Sequence, residues 1–76
     1  MSKTKQPLSV AATFGRRVKE RRASMDIAQQ ELADLTGITR AYVSLIEQGK
    51  REPSLSMFVR LCDSMGKSPD WFLSVE

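Results

Sequence analysis

The stretch Gln29 to Gly49, QQELADLTGITRAYVSLIEQG, constrains the fold of this chain more than any other. It reads as two short helices joined by a tight turn. Over Gln29 to Thr36, Leu32 and Leu35 face inward, and Ala33 is small where another helix would cross closely. Gly37 supplies the positive backbone angle that a sharp helix-to-helix turn requires. Thr39 caps the next helix, which runs to Glu47 or Gln48 before Gly49 closes it. At roughly 100° per residue, Val43 and Ile46 lie on one side of it, with Thr39 and Glu47 beside them. Ala41, Ser44, Leu45 and Gln48 lie on the other side, which has nothing inside the protein to touch. Leu45 is the oddity there, an apolar side chain pointing away from the core.

A pair of short helices cannot bury its apolar side alone, so the flanking sequence must build a platform for it. The first helix runs from Ser9 or Val10 to Ala23, with Phe14 and Val18 on one face and Arg16, Arg17, Lys19, Glu20 and Arg21 over the others. Gly15 costs this helix about 1 kcal/mol relative to alanine, which close packing against another helix would offset. Asp26 falls where the chain must turn and tolerates left-handed angles better than most residues. Ala28 stands where Ser or Thr would complete a capping box with Glu31, a loss of about 0.5–2 kcal/mol. After the charged loop Lys50-Arg51-Glu52-Pro53, Ser54 caps a fourth helix. Leu55, Phe58, Leu61, Cys62 and Met65 follow at helical spacing, and Gly66 ends it. Ser68-Pro69-Asp70 starts a fifth with a cap, a proline and an acid at the positive end of the dipole. Trp71, Phe72 and Leu73 come next. No strand candidate, repeat or low-complexity tract interrupts this pattern, so the expected class is all-α with five helices over residues 9–76. Residues 1–8 are polar, aperiodic and proline-containing, and read as a disordered arm, either a plain loose terminus or one whose Lys3 and Lys5 lie along a polyanion.

Composition narrows the classes of function. Seventy-six residues make one domain, too small for a deep substrate cleft. The chain has no histidine, which removes the commonest general base and the commonest metal ligand together. Its single cysteine, Cys62, has no internal partner for a disulfide and sits among apolar residues as a small core residue. No nucleophile with a base, metal cluster or phosphate loop is present, so an enzyme is the weakest reading and no cofactor is expected. No apolar run approaches the roughly 20 residues of a membrane span, and the expected location is cytoplasmic or nucleoid-associated. The net charge of +3 is modest, but residues 1–22 carry seven Lys or Arg against one acid, and residues 23–76 carry five against eight. That gradient fits either a solvated basic helix or a polyanionic partner.

With these residues in view, the chain resembles the Cro/repressor-type helix-turn-helix family over about Phe14 to Leu73. The central spacing of Gln29, Ala33, Gly37, Val43 and Ile46 carries the likeness. So do Phe14-Gly15-Arg16-Arg17-Val18, Gly49-Lys50-Arg51-Glu52-Pro53-Ser54 and Ser68-Pro69-Asp70-Trp71-Phe72-Leu73. The resemblance implies a lambda-repressor-like domain whose third helix enters the DNA major groove. It places Gln29, Gln30, Thr39, Tyr42, Lys50 and Arg51 on the DNA backbone, with Arg40, Ala41, Ser44, Leu45 and Gln48 facing base edges. Arg40 is the candidate for guanine O6 and N7, while Ala41 and Leu45 can meet thymine methyls. Leu45 departs from the polar residues usual in the family there. Arg22 and Glu47 match positions that form an internal salt bridge in several relatives.

Trp71, Phe72 and Leu73 either close the core or form a dimer seam, with one aromatic inward and another exposed. The function implied is that of a sequence-specific transcriptional regulator, a homodimer on a pseudo-palindromic operator with half-sites roughly 34–36 Å apart. With no second domain expected to act as a switch, control would come from concentration, proteolysis or a protein partner such as a toxin, an anti-repressor or RNA polymerase. The rival reading is a protein-interaction module on the same fold, such as an antitoxin or adaptor. Arg40, Tyr42, Lys50 and Arg51 distinguish the two, because an adaptor has no need of them.

Overall fold

A computed structural model of the chain describes residues 9–73. The arm expected over 1–8 and the last three residues of the expected domain lie outside the described residues. The helices are α1 (Val10–Ser24), α2 (Gln29–Thr36), α3 (Arg40–Glu47), α4 (Leu55–Met65) and α5 (Pro69–Leu73), with no strand among the described residues. None is long and apolar enough to cross a membrane.

Local chemistry sets the helix ends. The hydroxyls of Ser9, Thr39 and Ser54 accept hydrogen bonds from the N–H groups of Ala12, Tyr42 and Met57 at 3.0, 3.1 and 3.2 Å. Each satisfies a donor that the first helical turn leaves without a partner. Ala28 has no such oxygen, and α2 begins with half a capping box, in which Glu31 Oε1 accepts from the Ala28 N–H at 2.8 Å. Gly37 ends α2 at φ 76°, and Asp26 turns the chain after α1 at φ 58°. Two C-termini are closed from a distance, because Arg21 Nε donates to the Met65 carbonyl at 2.8 Å and Arg60 Nη1 to the Thr36 carbonyl at 3.2 Å. Cations at these ends also oppose the negative end of the helix dipole.

Helix α1 packs on α3 and α5, while α2 packs on α3 and α4. Between them lie Phe14, Val18, Leu32, Ala33, Val43, Ile46, Leu61, Cys62, Met65 and Phe72, all buried. The ring of Phe14 tilts against Phe58 and Phe72 at centroid distances of 5.1 and 5.5 Å, within the range of favourable aromatic pairs.

One expected inward residue, Leu35, points out. Leu35 is 59% exposed, and Thr36 is buried in its stead with its hydroxyl donating to the Leu32 carbonyl at 2.8 Å. Helix α2 is clasped between α3 and α4, and the line facing both runs through Leu32, Ala33 and Thr36, leaving Leu35 on the flank. Leu55 is 79% exposed. It opens α4, before that helix has come against its neighbours.

Candidate nucleic-acid interface

The packing that holds α3 also decides which of its faces is free. Val43 and Ile46 are 1% exposed, and Arg40, Ala41, Leu45 and Gln48 are exposed along the opposite side with Ser44 half-buried between them. All five expected base-facing residues therefore share one outward surface. Leu45 lies in it, 37% exposed. Gln48 Nε2 donates to Ser44 Oγ at 2.9 Å, so these two polar groups reach the surface as a pair.

The residues assigned to backbone contact frame this surface. Thr39 and Lys50 flank α3 and are exposed. Arg51 lies with its guanidinium carbon 5.0 Å from the centroid of the Tyr42 ring, a cation–π contact that fixes a loop cation to the helix. Gln30 is exposed on α2, its amide nitrogen donating to Asp34 Oδ1 at 2.9 Å. Gln29 is half-buried and engaged within the protein. Its Nε2 donates to Glu47 Oε1 at 3.0 Å, and its Oε1 accepts from Arg40 Nη1 at 3.4 Å. One Gln29 N–H remains for an external acceptor.

Beneath the surface lies the Arg22–Glu47 pair. Arg22 Nε donates to Glu47 Oε2 at 2.7 Å and Nη2 to Oε1 at 3.1 Å, with side-chain exposures of 16% and 3%. The remaining nitrogen, Nη1, donates to the Ile27 carbonyl at 2.8 Å. The hydrogen bond that the Arg22 guanidinium donates to Glu47 holds it above its already high ordinary pKa, outweighing the opposing effect of burial. The pair ties the end of α1 to the end of α3 and the turn before α2, and so fixes how the two motif helices sit on the platform.

Among the described residues, three of the five α1 cations are engaged inside the fold. Arg22 holds Glu47, Arg21 closes α4, and Arg17 lies 4.7 Å from the Trp71 ring centroid and 3.3 Å from Glu20. Only Arg16 and Lys19 among the α1 cations are exposed. Internal ties thus engage part of the positive charge in the first third of the sequence. The cation–carbonyl links of Arg21 and Arg60 were not foreseen. An arginine on an otherwise solvated face gives no local sign that another helix will end within its reach.

The three C-terminal residues separate. Phe72 is 0% exposed, enclosed by Phe14 and Trp71, and is the aromatic of the pair that faces inward. Trp71 is half-buried, edge-on to Phe72, with Arg17 and Lys67 over its ring. Leu73 is 42% exposed and lines an open apolar groove of about 460 Å³ with Val10, Ala11, Pro53, Leu55 and Phe58.

Comparison with known proteins agrees with this geometry. Residues 18–72 match the family profile described as helix-turn-helix. The SPbeta prophage-derived uncharacterized HTH-type transcriptional regulator YonR of Bacillus subtilis (strain 168) is 42% identical over 60 residues, which is 79% of this chain and 56% of YonR. The chain thus spans little more than half the length of that relative. Among solved structures, the restriction-modification controller protein C.AhdI from Aeromonas hydrophila superposes with a TM-score of 0.76 at 32% identity, over 82% of this chain and 94% of C.AhdI. The P22 c2 repressor protein, in complex with a synthetic operator, superposes with a TM-score of 0.77 at 27% identity, over 83% of this chain and 96% of that one. The motif of α2 and α3, its buried tie to α1 and these likenesses together place the chain in the Cro/repressor-type helix-turn-helix family.

Proposed function

We infer that this chain is a sequence-specific DNA-binding transcriptional regulator that lays α3 in the major groove. One observation carries the reading. The outward side of α3 presents Arg40, Ala41, Ser44, Leu45 and Gln48 together, and Arg51 stacked on Tyr42, Lys50 and Thr39 surround it. A helix has room to enter the major groove, and a groove-lining helix with cations at its margins supplies both base and phosphate contacts. The N-terminus of α2, with Gln29 and Gln30, stands ready to meet a phosphate. Solved relatives named as a controller protein and as a repressor bound to an operator support the same reading.

The regulator would act as a homodimer on a pseudo-palindrome, because one short recognition helix covers only a few base pairs. Among the described residues, Leu73 and the rim of Trp71 are the C-terminal surfaces open to a second copy, and exposed Val10 and Leu55 extend the apolar area beside Leu73.

Selection of bound sequences from a random duplex pool, followed by titration of the selected duplex at two salt concentrations, tests the reading. A DNA regulator returns a sequence with half-site symmetry, and log K falls with log salt by about 0.9 per phosphate contact. No enriched sequence together with a flat salt response would overturn it.

A further inference from the structure

Leu45 is a long aliphatic side chain set on the outward side of α3, 37% exposed, where the family usually carries a polar residue. At roughly 100° per residue, Ala41 and Leu45 fall within about 40° of each other around the helix. Arg40 and Ser44 fall on the far side of Ala41, and Gln48 Nε2 donates to Ser44 Oγ at 2.9 Å on that side. The outward surface is thus divided lengthwise into a hydrogen-bonding half and an aliphatic half. A leucine in a helix covers the turn N-terminal to its own α-carbon, which here brings it over the exposed Ala41. Ala41 ends at its β-carbon, so the pair makes a step whose floor and wall are both apolar.

The side chains of Ala41 and Leu45 neither donate nor accept hydrogen bonds, so they cannot read the donor and acceptor pattern of a base pair. The apolar group that an unmodified base presents in the major groove is the C5-methyl of thymine. Cytosine carries a hydrogen at that carbon, and a methyl group added there restores the apolar group at the same ring position. We propose that Leu45, with Ala41, recognises a C5-methyl group on a pyrimidine whether the base is thymine or 5-methylcytosine, so that cytosine methylation within the bound site strengthens binding. This rests on the reading above that α3 lies in the major groove, and extends it from base sequence to the modification state of the DNA. A polar side chain at this position would meet O4 of thymine or N4 of cytosine, an acceptor and a donor, and would separate the two methylated bases. Leu45 responds to the group they share.

The test uses the full chain and the selected duplex, with each thymine replaced in turn by deoxyuridine and each cytosine by 5-methylcytosine. The first change removes only a methyl group and the second adds only one. At one pyrimidine position in each half-site, the duplex with the methyl group should bind the parent chain about fourfold more tightly than the duplex without it, the worth of one buried methyl. At that same position a pair of 5-methylcytosine with guanine should exceed a pair of cytosine with guanine by the same factor. Leu45→Ala removes the isopropyl group from an exposed position and should bring both ratios toward one, with the salt slope unchanged. Ratios near one at every position in the parent chain, or a methyl preference that persists in Leu45→Ala, would overturn the role of Leu45 while leaving DNA binding intact. Failure of the selection to enrich any duplex would instead overturn the major-groove reading, and this inference with it.

Discussion

Gly15 of α1 lies directly against the backbone carbonyl of Ile46 in α3, where a β-carbon would overlap the oxygen. The platform and the outward-facing helix meet at this point with nothing between them but main chain. Gly15→Ala raises helix propensity by about 1 kcal/mol. It also drives a methyl into an atom that moves only if α3 moves, and such overpacking costs about 1–3 kcal/mol or more. The second effect wins because Val43 and Ile46 anchor α3 in the core. A net loss of about 1–2 kcal/mol, seen as a Tm lowered by roughly 4–8 °C per kcal/mol, is the expected outcome of thermal unfolding. An unchanged or raised Tm would show that the contact relaxes freely.

The Arg22–Glu47 pair predicts an asymmetry between single and double substitutions. Arg22→Met or Glu47→Met alone strands a charge in a largely enclosed site, at about 3 kcal/mol, the low end for buried pairs because Arg22 retains some exposure. The double substitution strands none and should be less destabilised than either single variant in urea titrations. The raised Arg22 pKa means that its contribution is fully present below the ordinary arginine value and is lost only as pH rises through the still higher folded value. Stability should therefore show no loss from Arg22 through neutral and mildly alkaline pH.

Arg40 and Lys50 should respond differently in binding assays. Arg40→Ala relaxes preference at one base position, while Lys50→Ala weakens all duplexes alike and reduces the salt slope by about 1. Equal effects of the two substitutions on cognate and scrambled duplexes would contradict the roles assigned to them.

Phe72 and Leu73 are neighbours with opposite expected behaviour. Phe72→Ala empties a fully enclosed aromatic site and should cost about 3–5 kcal/mol in unfolding. Leu73→Glu alters a surface position and should change stability by about 0.5 kcal/mol or less. Sedimentation should show the Leu73→Glu chain self-associating about tenfold or more weakly than the parent. Unchanged association would place the seam elsewhere.

Cys62 is 1% exposed, and burial pushes its thiol pKa up. A thiol reagent should label the native chain slowly and the urea-unfolded chain quickly, since the thiolate is the reactive form. The neutral thiol favours the fold below the ordinary thiol value of 9.0, and that contribution is lost as pH rises through the folded value. Stability should accordingly decline in the alkaline range more in the parent than in Cys62→Ala, once each is compared with its own value at neutral pH.

Helix ends and class of fold were legible in the sequence because their causes are local. Thr39, Ser54 and Gly37 act on backbone groups within a turn of themselves, and α3 and α4 accordingly begin, and α2 ends, where those residues place them. The outward side of α3 was legible too, since Val43 and Ile46 leave only one direction for Ala41, Ser44, Leu45 and Gln48. Tertiary structure alone decided that Thr36 and not Leu35 enters the core, that Phe72 is enclosed and Trp71 covered by cations, and that Gln29 turns inward to Glu47. On an eight-residue helix, adjacent positions differ by little more than a quarter turn. Which of them faces inward is then set by parts of the chain far away in sequence, the packing of α3 and α4 on α2 for Thr36 and Glu47 for Gln29, that local periodicity does not encode.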